Sequence, residues 1–133
     1  RLIENTHESV KLTLDTGHML FAKGDSKYIL QNYHERILHV HCKDIRKQVL
    51  EKSLKEDLSF RGAFLEGAFT VPGDGCIDYQ PLFNVLKNNN YSGWLVVEAE
   101  QDPAKANPLE YAKIGYNYLT DTLKKSEIEI YKN

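Results

Sequence analysis

The chain has 133 residues, of which 41% are hydrophobic and 27% are charged, and its formal net charge is −2. This size and composition are typical of about one globular domain, and the charge excludes the broad basic surface that holds a nucleic-acid backbone. No apolar run approaches the roughly 20 residues of a membrane span, and no signal-peptide pattern is present. We therefore expect a cytoplasmic protein with neither a membrane nor a nucleic acid as partner.

The first half of the chain predicts two strands with a helix between them. Residues 1–7 are interpreted as the tail of a helix that begins earlier, and residues 10–15 alternate between apolar and polar side chains, which is typical of a strand. This strand ends at Asp15, and Thr16 and Gly17 are predicted to form a turn. A capped helix follows over about 26–35. The second strand, Ile37–Cys42, is almost continuously apolar, as expected of a parallel strand covered on both faces.

The second half predicts four helical segments and one more strand. Asp44 is predicted to cap a helix over 45–57, and a short helical turn follows within 59–67. Residues 72–75 form a strong turn signal, after which Asp78 caps a helix over 79–88. The third strand is Trp94–Val97. Asn107 and the proline that follows it predict the start of the last helix, which runs to about residue 123 before a polar tail.

The two cysteines do not indicate a metal finger, because Cys42 and Cys76 lack the spacing of zinc ligands. The alternatives are a disulfide and two buried, reduced thiols, and we expect the thiols.

The order of elements determines the expected fold class. Strands that alternate with helices predict parallel βα units, and no glycine-rich phosphate loop follows any strand. A (β/α)₈ barrel needs about 250 residues, whereas only three convincing strands are present here. The sequence thus predicts an α/β fold in which residues 1–133 are the C-terminal portion of a single TIM (β/α)₈ barrel domain, with about three βα units and earlier strands outside this chain.

Each predicted strand delivers a polar side chain at its C-terminal end, which is where barrels and open parallel sheets carry their sites. The three residues are Asp15, His41 and Glu98. Two carboxylates and an imidazole without thiolates suit Mn²⁺, Co²⁺, Mg²⁺ or Zn²⁺ in a non-structural site. Taken singly, each has another interpretation: a loop cap, a core histidine and an ion-pair partner. Their common placement favours a metal site.

Four further polar residues follow the same strands. They are His18, Lys43, Asp44 and Arg46. They either orient and protonate a polyhydroxylated substrate, as catalytic residues, or form an ordinary surface ion-pair cluster. Glu100, two residues beyond the third candidate ligand, is interpreted as a solvated loop acid.

Four segments carry a specific resemblance to a known family. They are LDTGH at 14–18, HVHCKDIR at 39–46, FTVPGDGCIDY at 69–79 and VVEAEQDPAKANPLEYA at 96–112. They resemble the inosose dehydratases, a family within the xylose isomerase-like TIM barrel superfamily. The resemblance implies metal ligation by Asp15, His41 and Glu98, a further ligand upstream of Arg1, and His18 and Arg46 beside the substrate.

The resemblance also implies a reaction. Enzymes of this family remove water from 2-keto-myo-inositol, a polyhydroxylated cyclic ketone, to give a trihydroxycyclohexane-dione in inositol catabolism. They use Mn²⁺ or Co²⁺, and glutathione is associated with the activity. The alternatives are a sugar or inosose isomerase or epimerase of the same superfamily, and a non-catalytic metal-binding fragment. We expect the chain to be inactive alone and its open strand edges to be covered by the missing N-terminal half or by a second copy in a homo-oligomer.

Overall fold

A computed structural model describes residues 1–131. Five strands occur in this part of the chain: β1 (Leu12–Asp15), β2 (Ile37–Cys42), β3 (Asp44–Ile45), β4 (Phe69–Thr70) and β5 (Trp94–Val97). The three longer strands form a parallel sheet in the order β1-β2-β5, and the two short ones pair antiparallel. The three strands predicted from the sequence are therefore present and parallel.

Six α-helices lie between and after these strands: α1 (Thr16–Phe21), α2 (Ser26–Tyr33), α3 (Lys47–Lys55), α4 (Phe60–Leu65), α5 (Tyr79–Asn88) and α6 (Pro108–Lys125). Polar side chains accept hydrogen bonds from free N–H groups at several helix N-termini, as capping predicts. Asp25 caps α2, Ser59 caps α4, and Asn107 accepts from two N–H groups of α6. Within residues 1–131, none of the helices is long and apolar enough to cross a bilayer.

The hydrophobic core lies between one face of the parallel sheet and three helices. Leu14, Val40 and Cys42 project from the strands into this core, and each is almost fully buried. Leu30 of α2, Phe83 of α5 and Leu119 of α6 are among the helix residues packed against them. Each such side chain contributes about 1.5–3 kcal/mol by its burial. Because side chains alternate along a strand, the neighbouring residues point to the opposite face of the sheet.

The register of β1 against β2 contains one irregularity. Leu12 lies beside Ile37, but the next pair is Thr13 with His39, so that Leu38 has no counterpart in β1. Beyond this point the pairing is regular and places Asp15 beside His41. On the other side of β2, Cys42 lies beside Val97, so Glu98 follows immediately after the last paired residue of β5.

The structure differs from the sequence prediction at three places. Residues 1–7 contain a single 3-10 turn, Ile3–Asn5, instead of an α-helical end. Residues 16–17 begin helix α1 instead of a turn, because the Asp15 carboxylate accepts a hydrogen bond from the His18 N–H at 2.8 Å and caps the helix. The short pair β3–β4 was not predicted.

Two predictions about individual side chains also need correction. Asp44 does not cap the following helix, which begins at Lys47 without a side-chain cap. Its Oδ1 instead accepts hydrogen bonds from the N–H groups of Ile45 and Ile77. Both cysteines are free, but only Cys42 is buried, and Cys76 is exposed.

Candidate active site

The C-terminal ends of the three parallel strands bring Asp15, His41 and Glu98 together. One potential ligand atom from each residue lies within 4.8 Å of the other two. Nδ1 of His41 is 3.7 Å from Oδ2 of Asp15. The strand register explains this placement, because directly paired residues of parallel strands point to the same face and Glu98 extends β5 toward the same edge.

The three residues fit a divalent cation. Their donors are two carboxylates and one imidazole, a set suited to Mn²⁺, Co²⁺, Mg²⁺ or Zn²⁺. Oε2 of Glu98 is buried and accepts no hydrogen bond from the described residues. Lys43 Nζ lies 2.7 Å from this oxygen as an ion pair, but it does not approach along a hydrogen-bonding direction. A buried carboxylate oxygen with free lone pairs is a suitable ligand for a cation.

Lys43 is the central cation of the site. Its side chain is only 2% exposed, and Nζ lies 3.2 Å from Asp15 Oδ2 and 2.6 Å from Glu100 Oε2. The carbonyl oxygen of Lys43 accepts hydrogen bonds from Thr16 Oγ1 at 2.7 Å and Tyr79 Oη at 2.9 Å. These contacts fix the backbone from which the buried ammonium projects.

Gly17 allows the methylene chain of Lys43 to pass against helix α1. A Cβ atom at position 17 would lie 2.7 Å from Lys43 Cγ and 2.9 Å from Cδ. This separation is shorter than real Cβ contacts allow, so any larger residue at 17 would displace the lysine.

His18 connects the candidate metal ligands with Glu100. Nε2 lies 2.8 Å from Glu100 Oε2 and 3.0 Å from Lys43 Nζ, while Nδ1 lies 3.4 Å from Asp15 Oδ2. Nε2 donates to Glu100 in one tautomer and accepts from Lys43 in the other. The ring packs edge-on against Phe69, with centroids 5.3 Å apart. These contacts fix the orientation of the His18 ring and place Nε2 where it can hold or transfer a proton.

Glu100 belongs to this cluster, although the sequence alone gave it the role of a solvated loop acid. Its backbone has φ = +48°, in the left-handed region that few non-glycine residues adopt. Burial tends to raise the pKa of Glu100, but the hydrogen bonds from Lys43 and His18 outweigh burial and lower this pKa below its usual value. The carboxylate therefore stays ionised at neutral pH. The repeated acid in Glu98-Ala99-Glu100 is the only sequence feature that pointed to it.

Arg46 lies in a neighbouring polar network. Its guanidinium donates to Gly67 O at 2.8 Å and to Asp74 Oδ2 at 2.6 Å, and it lies 5.8 Å from the centre of the Tyr111 ring. Tyr111 lines a cavity of about 230 Å³ beside the end of β5, which also includes Gln101. Arg46 therefore adjoins this cavity, and among the described residues its hydrogen bonds do not reach the Lys43 cluster.

Asp44 points to the other side of β2. Its side chain contacts the loop at 73–77, and the residue is only 1% exposed. Burial raises the pKa of the Asp44 carboxyl, against the opposing effect of backbone N–H donors. This position fits neither a substrate-facing residue nor a surface ion pair. Asp44 instead anchors the loop that supplies Asp74 to Arg46.

The fold and the site define a class of protein: a parallel α/β protein with a candidate divalent-cation site at the C-terminal ends of its strands. More particularly, residues 1–122 match the model of the xylose isomerase-like TIM barrel family. The chain belongs to this family, and the partial barrel predicted from the sequence is confirmed.

Relatives that are about half identical to this chain are named inosose dehydratase. The chain is 53% identical over 122 residues to the inosose dehydratase of Clostridium beijerinckii, a match that covers 91% of this chain and 41% of that protein. It is 50% identical over 124 residues to the inosose dehydratase of Bacillus velezensis, covering 92% of this chain and 42% of that protein. The resemblance inferred from the sequence motifs is thus confirmed. The chain spans about two fifths of the length of these relatives.

A solved structure shows the same fold at lower sequence identity. A xylose isomerase-like TIM barrel/4-hydroxyphenylpyruvate dioxygenase fusion protein superposes with a TM-score of 0.62 and 19% identity. The match covers 98% of this chain and 21% of the other. This likeness supports the barrel architecture.

Proposed function

We propose that the protein containing this chain is a metal-dependent lyase that removes water from 2-keto-myo-inositol to give a trihydroxycyclohexane-dione. The observation that carries the proposal is the convergence of Asp15, His41 and Glu98 at one edge of the sheet, with His18 and Lys43 beside them. The names of the relatives support this substrate class. The same comparison supports a place in inositol catabolism.

Asp15, His41 and Glu98 would hold the ion, which we propose to be Mn²⁺ or Co²⁺. Bound there, a divalent ion would supply Lewis acidity that makes the C–H bond next to a ketone more acidic. This is the chemistry that the elimination of water from a hydroxyketone requires.

The chain's own residues supply proton transfer. In the proposed reaction, His18 Nε2 takes the proton from the carbon next to the ketone, and the C–H electron pair forms a carbon–carbon double bond as the β-hydroxyl leaves. The leaving oxygen takes up a proton from solvent and departs as water, His18 returns its proton to solvent, and the enol product rearranges to the dione. Glu100 Oε2, 2.8 Å from the same nitrogen, accepts a hydrogen bond from Nε2 once the proton has been taken up and so stabilises the protonated imidazole. A positioned group of this kind typically contributes a factor of about 10² to 10⁴ in rate.

The remaining proposals concern the rest of the protein. We propose that residues 1–133 are the C-terminal part of one barrel domain and that the protein is cytoplasmic. We also propose that the free edges of β1 and β5 are covered by the N-terminal half of the barrel or by a second copy. The open edge of a parallel sheet presents unpaired backbone groups, and Trp94 on β5 is 66% exposed among the described residues.

The test uses the protein as its gene encodes it, supplied with Mn²⁺ or Co²⁺ and 2-keto-myo-inositol. We expect absorbance of the dione to appear, to disappear in Asp15→Asn, and to persist in Asp121→Asn. Asp121 is a matched control because it lies on α6 with a 70% exposed side chain. Exchange between inosose isomers without dione would instead identify an isomerase or epimerase. Metal binding with neither reaction would identify a non-catalytic protein and overturn the proposal.

A further inference from the structure

Lys43 places a fixed positive charge among the groups that would hold the ion. Its Nζ contacts Asp15 Oδ2 at 3.2 Å and Glu98 Oε2 at 2.7 Å, and both residues are candidate ligands. It also contacts Glu100, which is outside the candidate ligand set, at 2.6 Å. The ammonium therefore interacts with the same carboxylates that a bound cation would use.

The geometry points to a selectivity role for this charge. We infer that Lys43 sets the cation charge that the site accepts, so that the site favours divalent over trivalent ions and binds both less tightly than its carboxylates alone would. The inference rests on the proposed metal site and adds to it the residue that controls which ions enter.

The physical basis is the dependence of repulsion on the charge of the bound ion. The repulsion between the ammonium and a cation rises in proportion to the cation's charge, so a trivalent ion is penalised more than a divalent one. For charges about 4 Å apart at an effective dielectric constant of about 20, one extra unit of charge corresponds to a factor on the order of 10³ in binding. Water and salt reduce this factor, and we expect at least about 10-fold to remain.

The ammonium is held in place by its surroundings. The lysine side chain is 2% exposed, its methylene chain passes against Gly17, and Nζ lies 5.4 Å from the centre of the Phe69 ring. Lys43 therefore cannot swing into solvent as a surface lysine does when an ion binds nearby. Its charge remains within the site, and a binding ion experiences it.

The experiment compares Tb³⁺ with Mn²⁺ in the protein as its gene encodes it. Tb³⁺ binding is followed by luminescence excited through tyrosine and tryptophan, and Mn²⁺ binding by electron paramagnetic resonance. Lys43→Met removes the charge and keeps an unbranched apolar chain, whereas Lys43→Arg keeps the charge. We expect Lys43→Met to bind both ions more tightly and to shift the affinity ratio at least about 10-fold toward Tb³⁺. Lys43→Arg should leave the ratio within about 3-fold of the wild type.

A second variant changes the charge next to Lys43 and leaves the lysine itself in place, so its result does not depend on whether Lys43→Met folds. Glu100→Gln removes a negative charge next to the ammonium and should shift the ratio toward Mn²⁺. An unchanged ratio in whichever of these variants folds, or weaker binding of both ions in Lys43→Met, would overturn the inference. If the proposed metal site is itself wrong, the result is different: either the wild type binds no ion, or Asp15→Asn does not abolish the binding.

Discussion

The imidazole of His18 and the carboxylate of Glu100 are in contact at 2.8 Å, although 82 positions separate them in the chain. His18 belongs to helix α1, directly after the first strand, and Glu100 lies in the loop after the last strand. The contact forms because both strands are parallel neighbours of β2 and end at the same edge of the sheet. The two ends of the described sheet are thereby joined across the candidate site.

The first prediction concerns this contact. In Glu100→Gln, the amide can still reach His18 but no longer carries a charge to stabilise a protonated imidazole. We expect kcat for dione formation to fall about 10²-fold, at the low end of the range for a positioned proton-transfer group, with a smaller change in KM. Steady-state kinetics across pH measure both. Glu110→Gln, in the exposed first turn of α6, is the control. An equal fall in kcat in both variants would contradict the role of Glu100.

The second prediction separates the two roles of Asp15, which is a candidate metal ligand and also the cap of α1. Asparagine caps a helix as well as aspartate does, whereas replacement by alanine costs about 1 kcal/mol. We therefore expect Asp15→Asn to lose metal binding with little change in the free energy of unfolding. Asp15→Ala should lose both. Calorimetric metal titration and urea unfolding distinguish these outcomes, and undiminished metal affinity in Asp15→Asn would contradict the ligand assignment.

The third prediction concerns the space beside Lys43. Gly17→Ala would bring a methyl group to within 2.7 Å of the lysine side chain, and such overpacking costs about 1–3 kcal/mol. Gly62→Ala in α4 is the matched control, because its nearest contact would be 3.4 Å from Ser59 Oγ and alanine favours a helix by up to about 1 kcal/mol. We expect opposite changes in the free energy of unfolding, measured in urea. Equal changes in the free energy of unfolding of the two variants would contradict the expected clash between the new methyl group and Lys43.

The fourth prediction concerns the buried Asp44 carboxylate. Asp44→Ala leaves the N–H groups of Ile45 and Ile77 without their acceptor, which should cost about 3 kcal/mol in total. Asp78→Ala, which removes the cap of α5, should cost about 1 kcal/mol.

The cost of Asp44→Ala should also depend on pH. Because burial raises the pKa of Asp44 above its usual 3.8, the stability it contributes is greatest below that value and decreases as pH rises through the higher pKa of the folded state. The difference between wild type and Asp44→Ala should therefore be smaller at pH 7 than near pH 4. Urea unfolding at several pH values measures it, and a difference that grows with pH would contradict this account.

The sequence predicted the parts of the fold that depend on local patterns. The strand Ile37–Cys42 and the helix after Asp78 follow from runs of apolar residues and from a capping residue, and both occur at the predicted positions. The pair β3–β4 was missed because two-residue strands have no periodicity. They exist only through the pairing of Asp44 with Thr70 and of Ile45 with Phe69.

The candidate site shows the same limit. Asp15, His41 and Glu98 could be found from the sequence because each ends an apolar strand. Glu100 could not, because its place in the cluster depends on a left-handed backbone turn that returns the carboxylate toward Lys43. Asp44 follows the same strand as Lys43, but the alternation of side chains directs it to the opposite face.

The unmatched Leu38 in β2 has a consequence for tolerance to insertion and deletion. If β1 and β2 continued the spacing of the Leu12–Ile37 pair, Asp15 would lie beside Val40 and His41 would fall on the other face relative to it. The irregularity therefore absorbs one residue of β2 and keeps Asp15 beside His41. Deleting Leu38 would remove the irregularity and leave the pairs Leu12–Ile37 and Asp15–His41 in one regular ladder. We expect β2 to tolerate the loss of this exposed leucine without separating the two side chains at the site.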